Sequence, residues 1–370
     1  MVKSAGSTLG LYLIVLVVIL GTLAPASCAK KPFTLKSPTD KDFVKEPGRE
    51  AQLILLDDDY NNLNIIDHNA QSVGQQKLRF DMLSASAAAT NYTPVVFWHG
   101  MGDTAYGSIN IDRLALQKKF PGMKVFSIQI GNTVLEDEMA GYFVNVNQQV
   151  DSACKAILGN ELIRASGRMN AIGFSQGAQF LRALVQRCPL REHGIQVKNL
   201  ISLGGQHQGV YGLPNCYTTV WCDYIRHMLS TGAYEEVVQE HSVQAEYWHD
   251  PWNESEYRAK NVFLPDVNNE NTLNTTYKNN LLALENFVLV KFAQDDMVVP
   301  RDSSLFAFYE PGQNVVIKPL EESAIWLEDR LGLRQLNDSG RLKRITIPGR
   351  HLQYRMSWFL NEIGAKYLAN

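Results

Sequence analysis

The chain has 370 residues, of which 45% are hydrophobic and 20% charged, an ordinary composition for a globular protein that can bury one large core. Its 35 basic and 38 acidic residues give a formal net charge of -3, with no prominent basic run. This balance argues against a nucleic-acid partner and predicts a mixed, solvated surface.

The N-terminus carries the features of a secretory signal. Lys3 precedes an apolar run from Leu9 to Leu20, and small residues follow from Ala24 to Ala29. This order predicts a cleavable signal peptide over 1–29 and entry into the secretory pathway. An uncleaved anchor is the alternative, but the run is shorter than the roughly 20 residues that a spanning helix needs. No other segment is long and apolar enough, so we expect no stable membrane span.

Residues 30–90 show neither a helical nor a strand repeat. They contain an acidic patch at 57–59 and a run of small residues at 84–90, which predicts a loosely ordered extension or pro-segment. The short apolar runs Leu53–Leu56 and Leu63–Ile66 leave open an added edge strand or hairpin.

From residue 91 to the C-terminus at 370, apolar strand patterns alternate with helical ones, which predicts one α/β domain with a mostly parallel sheet and helices on both faces. A helical face is expected between the second and third strands, around 143–158, and another helix at Gln176–Gln186. The predicted strands are Val95–Trp98, Lys124–Ile130, Arg168–Phe174, Leu200–Leu203, Phe287–Phe292 and Leu342–Ile347.

A glycine-rich turn, His99–Asp103, follows the first predicted strand. Glycines are common in ordinary turns, so the composition alone does not assign a function. After the first strand of an α/β sheet, however, a backbone N–H in such a turn can stabilise an oxyanion, and we expect that donor to be Met101.

The third predicted strand ends in Gly173–Gly177, which fits the G-x-S-x-G pattern between a strand and a helix. In the α/β-hydrolase fold this sharp turn exposes a nucleophilic serine above the sheet. The pattern therefore predicts Ser175 as the nucleophile and the backbone N–H of Gln176 as the second oxyanion donor.

Residues 205–285 separate the fourth and fifth predicted strands, too long a segment for a plain connection. Helical pieces are expected near 223–230 and 276–285. We therefore predict an inserted cap subdomain, whose tryptophans belong mainly to its own core. These are Trp221, Trp248 and Trp252.

The remaining members of a catalytic triad follow from the order serine, acid, histidine in this fold. The fifth strand runs into Asp295 and Asp296, and beyond it the chain has a single histidine, His351. His351 is therefore the predicted base, while the sequence pattern leaves both aspartates open as the acid. Met297 and Val298, just after the acid, and Trp248 in the cap are candidates to line an apolar acyl groove, with a purely structural role as the alternative for each.

Cysteines and sequons agree with a secreted chain. Five cysteines occur, and without Cys28, which lies at the cleavage zone, four remain that can pair in three ways. We expect Cys154–Cys188, because both lie on helices that can flank one sheet, and Cys216–Cys222, which can close a small ring. The sequons, at which glycosylation is expected, are Asn91, Asn253, Asn274 and Asn337.

Several sequence stretches resemble the palmitoyl-protein thioesterase family, and the similarity continues from about residue 94 to 370. The stretches are Phe97–Asp103 (FWHGMGD), Ile172–Gln179 (IGFSQGAQ), Gly204–Pro214 (GGQHQGVYGLP), Gln244–Pro251 (QAEYWHDP), Asp329–Leu333 (DRLGL) and His351–Gln353 (HLQ). The resemblance implies an α/β-hydrolase fold, with Asp295 rather than Asp296 as the acid beside Ser175 and His351. It also supports the two predicted disulfides.

The implied activity is hydrolysis of long-chain fatty acyl thioesters on cysteines of S-acylated proteins or peptides in the lysosome, with secretion as a second destination. No cofactor is expected, and no metal site is recognised, since neither H-E-x-x-H nor C-x-x-C occurs. Three alternatives stay open: a lipase or carboxylesterase acting on oxygen esters, a thioesterase for small acyl thioesters such as acyl-CoA, and a non-catalytic lipid-binding protein.

This chain departs from the family pattern at three places. Paired cysteines are expected where it has Thr104–Tyr106, so one disulfide should be absent. Arg350 precedes the predicted base where an acidic residue is common, and Gln294 stands where the family carries a sequon. Residues 30–90 have no counterpart in the resemblance.

Overall fold

The computed structural model describes residues 51–55 as a backbone strand, and then residues 92–212, Leu229 and 232–369. All of these residues belong to one compact unit. The signal peptide, most of 30–90, Asn91, Trp221, Cys216 and Cys222 lie outside the described residues, so the predictions made for them remain predictions.

The central sheet has seven strands in the order β1-β3-β2-β4-β5-β6-β9. All neighbours are parallel except the edge pair β1 and β3, which is antiparallel. A separate two-stranded sheet pairs β7 with β8. The strands are β1 (Ala51–Leu55), β2 (Val95–Trp98), β3 (Val125–Ile130), β4 (Arg168–Phe174), β5 (Gln196–Leu203), β6 (Asn286–Phe292), β7 (Phe308–Tyr309), β8 (Ile317–Lys318) and β9 (Leu342–Ile347).

The helices connect these strands and cover the sheet. They are α1 (Ile109–Lys119), α2 (Val134–Phe143), α3 (Val146–Gly159), α4 (Glu161–Ser166), α5 (Gln176–Arg187), α6 (Glu236–His241), α7 (Val243–Glu246), α8 (Glu254–Lys260), α9 (Leu264–Val267), α10 (Thr275–Leu282), α11 (Ala324–Leu327), α12 (Leu333–Asp338) and α13 (Met356–Trp358). A π-helix, Phe359–Leu368, continues α13, and 3-10 turns lie at Arg301–Leu305 and Leu320–Glu322. No described helix is long and apolar enough to cross a bilayer.

The expected mostly parallel sheet with helices on both faces is confirmed. The six predicted strands are present, although β5 begins at Gln196 rather than at Leu200. Alternate residues of each strand face opposite sides, so Val96 packs toward α3 and α5 while Val95 packs toward the C-terminal helix. Two apolar clusters result, one on each face, and the central strands β2 to β6 are therefore apolar over most of their length.

Part of the predicted extension belongs to the sheet. The strand β1 runs antiparallel to β3 with Ala51 opposite Ile130 and Leu55 opposite Phe126. This is the edge strand that the apolar run at residue 53 left open. The sheet therefore includes residues on both sides of the predicted boundary near residue 91.

One disulfide and the parallel order of the strands position the elements that carry the site. The predicted Cys154–Cys188 disulfide is present, with Cα atoms 5.7 Å apart, and it joins α3 to the end of α5. The strands β4, β6 and β9 are parallel, so the loops that follow them leave the same edge of the sheet. Ligand sites in open α/β sheets lie beyond this carboxyl edge.

Candidate active site

Ser175 occupies a sharp turn between β4 and α5. Its backbone has φ 54° and ψ -122°, a conformation that residues other than glycine rarely adopt. The Ser175 N–H donates to the carbonyl of Leu203 at 2.8 Å, which ties the turn to the neighbouring strand. A side chain at Gly177 would come within 2.3 Å of the carbonyl oxygens of Trp98 and His99, so the turn requires glycine there. The turn holds the Ser175 hydroxyl above the sheet edge.

His351 reaches Ser175 from the loop after β9. Its Nε2 atom lies 2.8 Å from Ser175 Oγ, and its Nδ1 atom lies 2.7 Å from Oδ2 of Asp295. The three side chains form an unbroken hydrogen-bonded chain across the ends of β4, β6 and β9. Such a chain can deprotonate the hydroxyl while the carboxylate holds the imidazole in one tautomer.

Asp295, and not its neighbour Asp296, contacts His351. The Asp295 residue is 2% exposed, and its Oδ1 accepts hydrogen bonds from the N–H groups of Met297 and Val298 at 2.9 and 3.0 Å. Asp296, by contrast, is only half-buried. The two aspartates, which the sequence pattern alone left open, therefore occupy different environments.

The predicted oxyanion donors, the N–H groups of Met101 and Gln176, belong to residues near Ser175. Gln176 is the first residue of α5, where a helix has no internal acceptor for its N–H groups. Met101 lines the same pocket as Ser175. Within the described part of the chain, no acceptor pairs with the N–H of either Met101 or Gln176. Both groups are thus available to an anionic oxygen.

The pocket beside Ser175 lies between the sheet edge and the segment 205–285. Its lining combines apolar side chains with a few polar ones: Met101, Gln206, Val210, Leu229, Gln244, Tyr247, Met297 and Val298. Met297 and Val298 thus line the same pocket as Ser175. Apolar lining with few polar groups is typical of a ligand pocket.

Trp248, predicted as a candidate to line the acyl groove, is not among the residues that line this pocket. Its ring is buried in the core and packs against Tyr211, with ring centroids 5.1 Å apart. The preceding residue, Tyr247, follows the last residue of α7 and lines the pocket instead.

The sequence argument missed a polar network that ties the cap segment to Gln176. The Gln176 side chain donates to the carbonyl of Gly141 at 3.1 Å and accepts from the Tyr247 hydroxyl at 3.1 Å. Gln244 also donates to the Gly141 carbonyl, at 3.0 Å. The stretch Gln244–Pro251 was the only sequence signal for these contacts. Burial raises the pKa of Tyr247, so its hydroxyl remains a donor across the physiological range.

Other predicted residues lie away from the site. Asn253 and Asn274 cap helices α8 and α10 through their side-chain oxygens, and Asn337 lies in α12. Among the described residues, no cluster of three or more metal-ligating side chains occurs.

The sequence pattern of the family described as palmitoyl protein thioesterase matches residues 94–351. Palmitoyl-protein thioesterase 1 of Caenorhabditis elegans is 46% identical over 282 residues, covering 75% of this chain and 93% of that protein. Palmitoyl-protein thioesterase 3 of Dictyostelium discoideum is 34% identical, covering 70% and 84%. A lysosomal thioesterase PPT2 homolog of Drosophila melanogaster is 27% identical, covering 72% and 88%.

Proposed function

This chain belongs to the palmitoyl protein thioesterase family, and we propose that it hydrolyses long-chain acyl thioesters on cysteines of S-acylated proteins or peptides. The observation that carries the proposal is the hydrogen-bonded chain from Asp295 through His351 to Ser175, at 2.7 and 2.8 Å, beside a largely apolar pocket.

In the first half of the proposed reaction, Nε2 of His351 takes the proton of Ser175 Oγ as that oxygen attacks the thioester carbonyl carbon. The carbonyl oxygen becomes an oxyanion, which the N–H groups of Met101 and Gln176 stabilise. When the carbonyl re-forms, the C–S bond breaks and the cysteine sulfur leaves, taking the proton from His351. A thiol with a pKa of about 8.5 leaves more readily than an alcohol.

In the second half, His351 takes a proton from water, and the resulting hydroxide attacks the acyl group on Ser175. The second tetrahedral intermediate collapses to the free fatty acid, and His351 returns the proton to Ser175 Oγ. Asp295 orients the imidazole throughout. Its second oxygen is held by two backbone N–H groups, which restricts rotation of the carboxylate.

The pocket sets the proposed preference for a long acyl chain. Burial of one methylene group contributes about 0.8 kcal/mol, so a long chain that fills an apolar groove binds more tightly than a short one. Met297 and Val298 are proposed to contact the acyl carbons nearest the reacting carbonyl, because they line the pocket together with Ser175.

We place the reaction in the lysosome. The predicted signal peptide directs the chain into the secretory pathway, and the Cys154–Cys188 disulfide suits that oxidising route. Relatives from several animals bear the name lysosomal thioesterase.

A matched pair of substrates tests the activity. An S-palmitoyl-cysteine peptide and the same peptide with O-palmitoyl-serine differ only in whether sulfur or oxygen links the palmitoyl group to the side chain. We expect the purified protein to cleave the thioester much faster and Ser175→Ala to show neither turnover nor labelling by a fluorophosphonate. Faster cleavage of the oxygen ester would favour a lipase or esterase, and substantial activity in a folded Ser175→Ala variant would exclude Ser175 as the nucleophile.

A further inference from the structure

A second histidine–aspartate pair lies next to the turn that holds Met101. His99 is 4% exposed, and Asp137 of α2 is fully buried. Nε2 of His99 lies 3.1 Å from Oδ1 of Asp137, and Nδ1 of His99 lies 2.9 Å from the carbonyl oxygen of Gly100. Both partners can only accept hydrogen bonds. Since a neutral imidazole has one N–H, His99 can donate to both only as an imidazolium.

The surroundings of His99 favour this charged form. Burial by itself lowers the pKa of His99, but the charge and hydrogen bond of Asp137, with contributions from the Gly100 carbonyl and Asp103, raise it above the ordinary value. Asp137 is itself held in place, because it accepts from the N–H of Ile130 at 2.7 Å and of Ala105 at 2.8 Å. His99 is therefore hydrogen-bonded to a carboxylate that two backbone N–H groups hold in place.

The bond from His99 to Gly100 determines the direction of a neighbouring N–H. The Gly100 carbonyl and the Met101 N–H belong to one trans peptide group, so they point in opposite directions. His99 and, at 3.3 Å, the N–H of Asp103 hold the carbonyl on one side. The Met101 N–H is thereby turned to the other side. Gly100 lies against Ser175, since a Cβ atom on Gly100 would be 3.0 Å from Cβ of Ser175.

We propose that His99 is a positioning residue that, anchored by Asp137, orients the Gly100–Met101 peptide group so that the Met101 N–H faces the oxyanion formed at Ser175. This inference rests on the proposed function, because it concerns the same reaction. It predicts that loss of His99 lowers kcat and changes KM little. The reason is that the Met101 N–H forms its strong hydrogen bond only when the carbonyl oxygen becomes an oxyanion.

Two conservative substitutions distinguish the hydrogen bond from His99 to Gly100 from the hydrogen bond to Asp137. The amide nitrogen of His99→Asn lies near the position of Nδ1 and can still donate to Gly100, whereas that of His99→Gln lies near Nε2 and can donate only to Asp137. We expect His99→Asn to keep kcat within about tenfold of wild type. His99→Gln should lower kcat about 100-fold at a nearly unchanged KM, close to the loss of one oxyanion donor.

The affinity for a palmitoyl trifluoromethyl ketone, which forms an oxyanion on Ser175, should fall in His99→Gln by the same factor as kcat/KM. If wild type itself does not hydrolyse the thioester, the proposed function fails. If wild type is active and both variants are folded, equal losses in the two variants, or a larger loss in His99→Asn, would overturn the positioning role alone.

A measurement on the wild-type protein covers the case in which a variant does not fold. In protein labelled with ¹⁵N-histidine, the His99 ring, assigned through its connection to the backbone, should carry protons on both nitrogens at the pH of the assay. An Nδ1 without a proton would contradict the proposal, because it could not donate to Gly100.

Discussion

Oδ2 of Asp295 lies 2.7 Å from Nδ1 of His351, while Oδ1 of the same carboxylate is occupied by two backbone N–H groups. The backbone thus fixes the plane of the carboxylate and leaves one oxygen for the imidazole. The neighbouring Asp296 has no equivalent contact with His351. The division of roles between these two adjacent acids therefore depends on the loop that follows β6.

The Asp295 contact predicts a large difference between two amide substitutions. Asp295→Asn should lower kcat on the order of 10⁴-fold, because an amide stabilises the wrong imidazole tautomer. Asp296→Asn is the matched control and should lower kcat by less than about tenfold. Steady-state kinetics on a palmitoyl thioester, with melting temperatures for both variants, provide the test. A greater loss in Asp296→Asn would assign the orienting role to the other acid.

The disulfide between α3 and the end of α5 should contribute measurably to stability. The two cysteines are 34 residues apart in sequence, and closing a loop of this size stabilises a fold by about 2–4 kcal/mol. A Cys154→Ala/Cys188→Ala variant should lose this free energy of unfolding in urea but retain kcat.

Peptide mapping without reduction should recover Cys154 linked to Cys188, and Cys216 linked to Cys222. A peptide that joins Cys154 to Cys222 would contradict both expected pairs.

The segment 30–90 should be dispensable for chemistry but not for full stability. The strand β1 lies at the outer edge of the sheet, separated from β4 and Ser175 by β3 and β2. A chain shortened to begin at Asn91 behind a signal peptide should therefore hydrolyse the thioester with little loss.

A second shortened chain, beginning at Lys45, retains β1 and serves as the control. It should melt at a higher temperature than the shorter chain, because the edge of β3 keeps its backbone partners. Should the shorter chain misfold or be inactive, the extension belongs to the functional domain and the boundary near 91 is wrong.

The buried carboxyl of Glu246 predicts a pH dependence of stability. Both of its oxygens lie 3.1 Å from the N–H of Val146 at the start of α3. Burial raises the pKa of Glu246 well above 4.5, and the Val146 hydrogen bond offsets this only in part. The folded state binds this proton more tightly than the unfolded state. Protonated Glu246 therefore contributes stability that is complete below the pKa of the unfolded state and is lost as pH rises through the pKa of the folded state.

Urea unfolding between about pH 4 and pH 8 tests this dependence. Glu246→Gln mimics the protonated form, so its free energy of unfolding should fall less with rising pH than that of wild type. The exposed Glu240→Gln is the control and should follow wild type. Identical pH profiles for wild type and Glu246→Gln would show that Glu246 does not carry this dependence.

The sequence by itself determined the six parallel strands, the helix that follows Ser175, and the candidate triad apart from the choice between Asp295 and Asp296. Apolar runs located the central parallel strands, because strands buried on both faces are almost continuously apolar. The edge strand β9, by contrast, is fully buried only at its first and last residues. The Gly173–Gly177 pattern and the position of His351, the last histidine of the chain, followed from the connection rules of this fold.

Only the tertiary structure decided which neighbouring side chains meet. Adjacent residues such as Asp295 and Asp296, or Tyr247 and Trp248, share a sequence context, yet the backbone turns them toward different surroundings. The pairing of His99 with Asp137 spans 38 residues and has no periodic signal. Such contacts arise from the packing of separate elements, and for that reason local sequence patterns do not encode them.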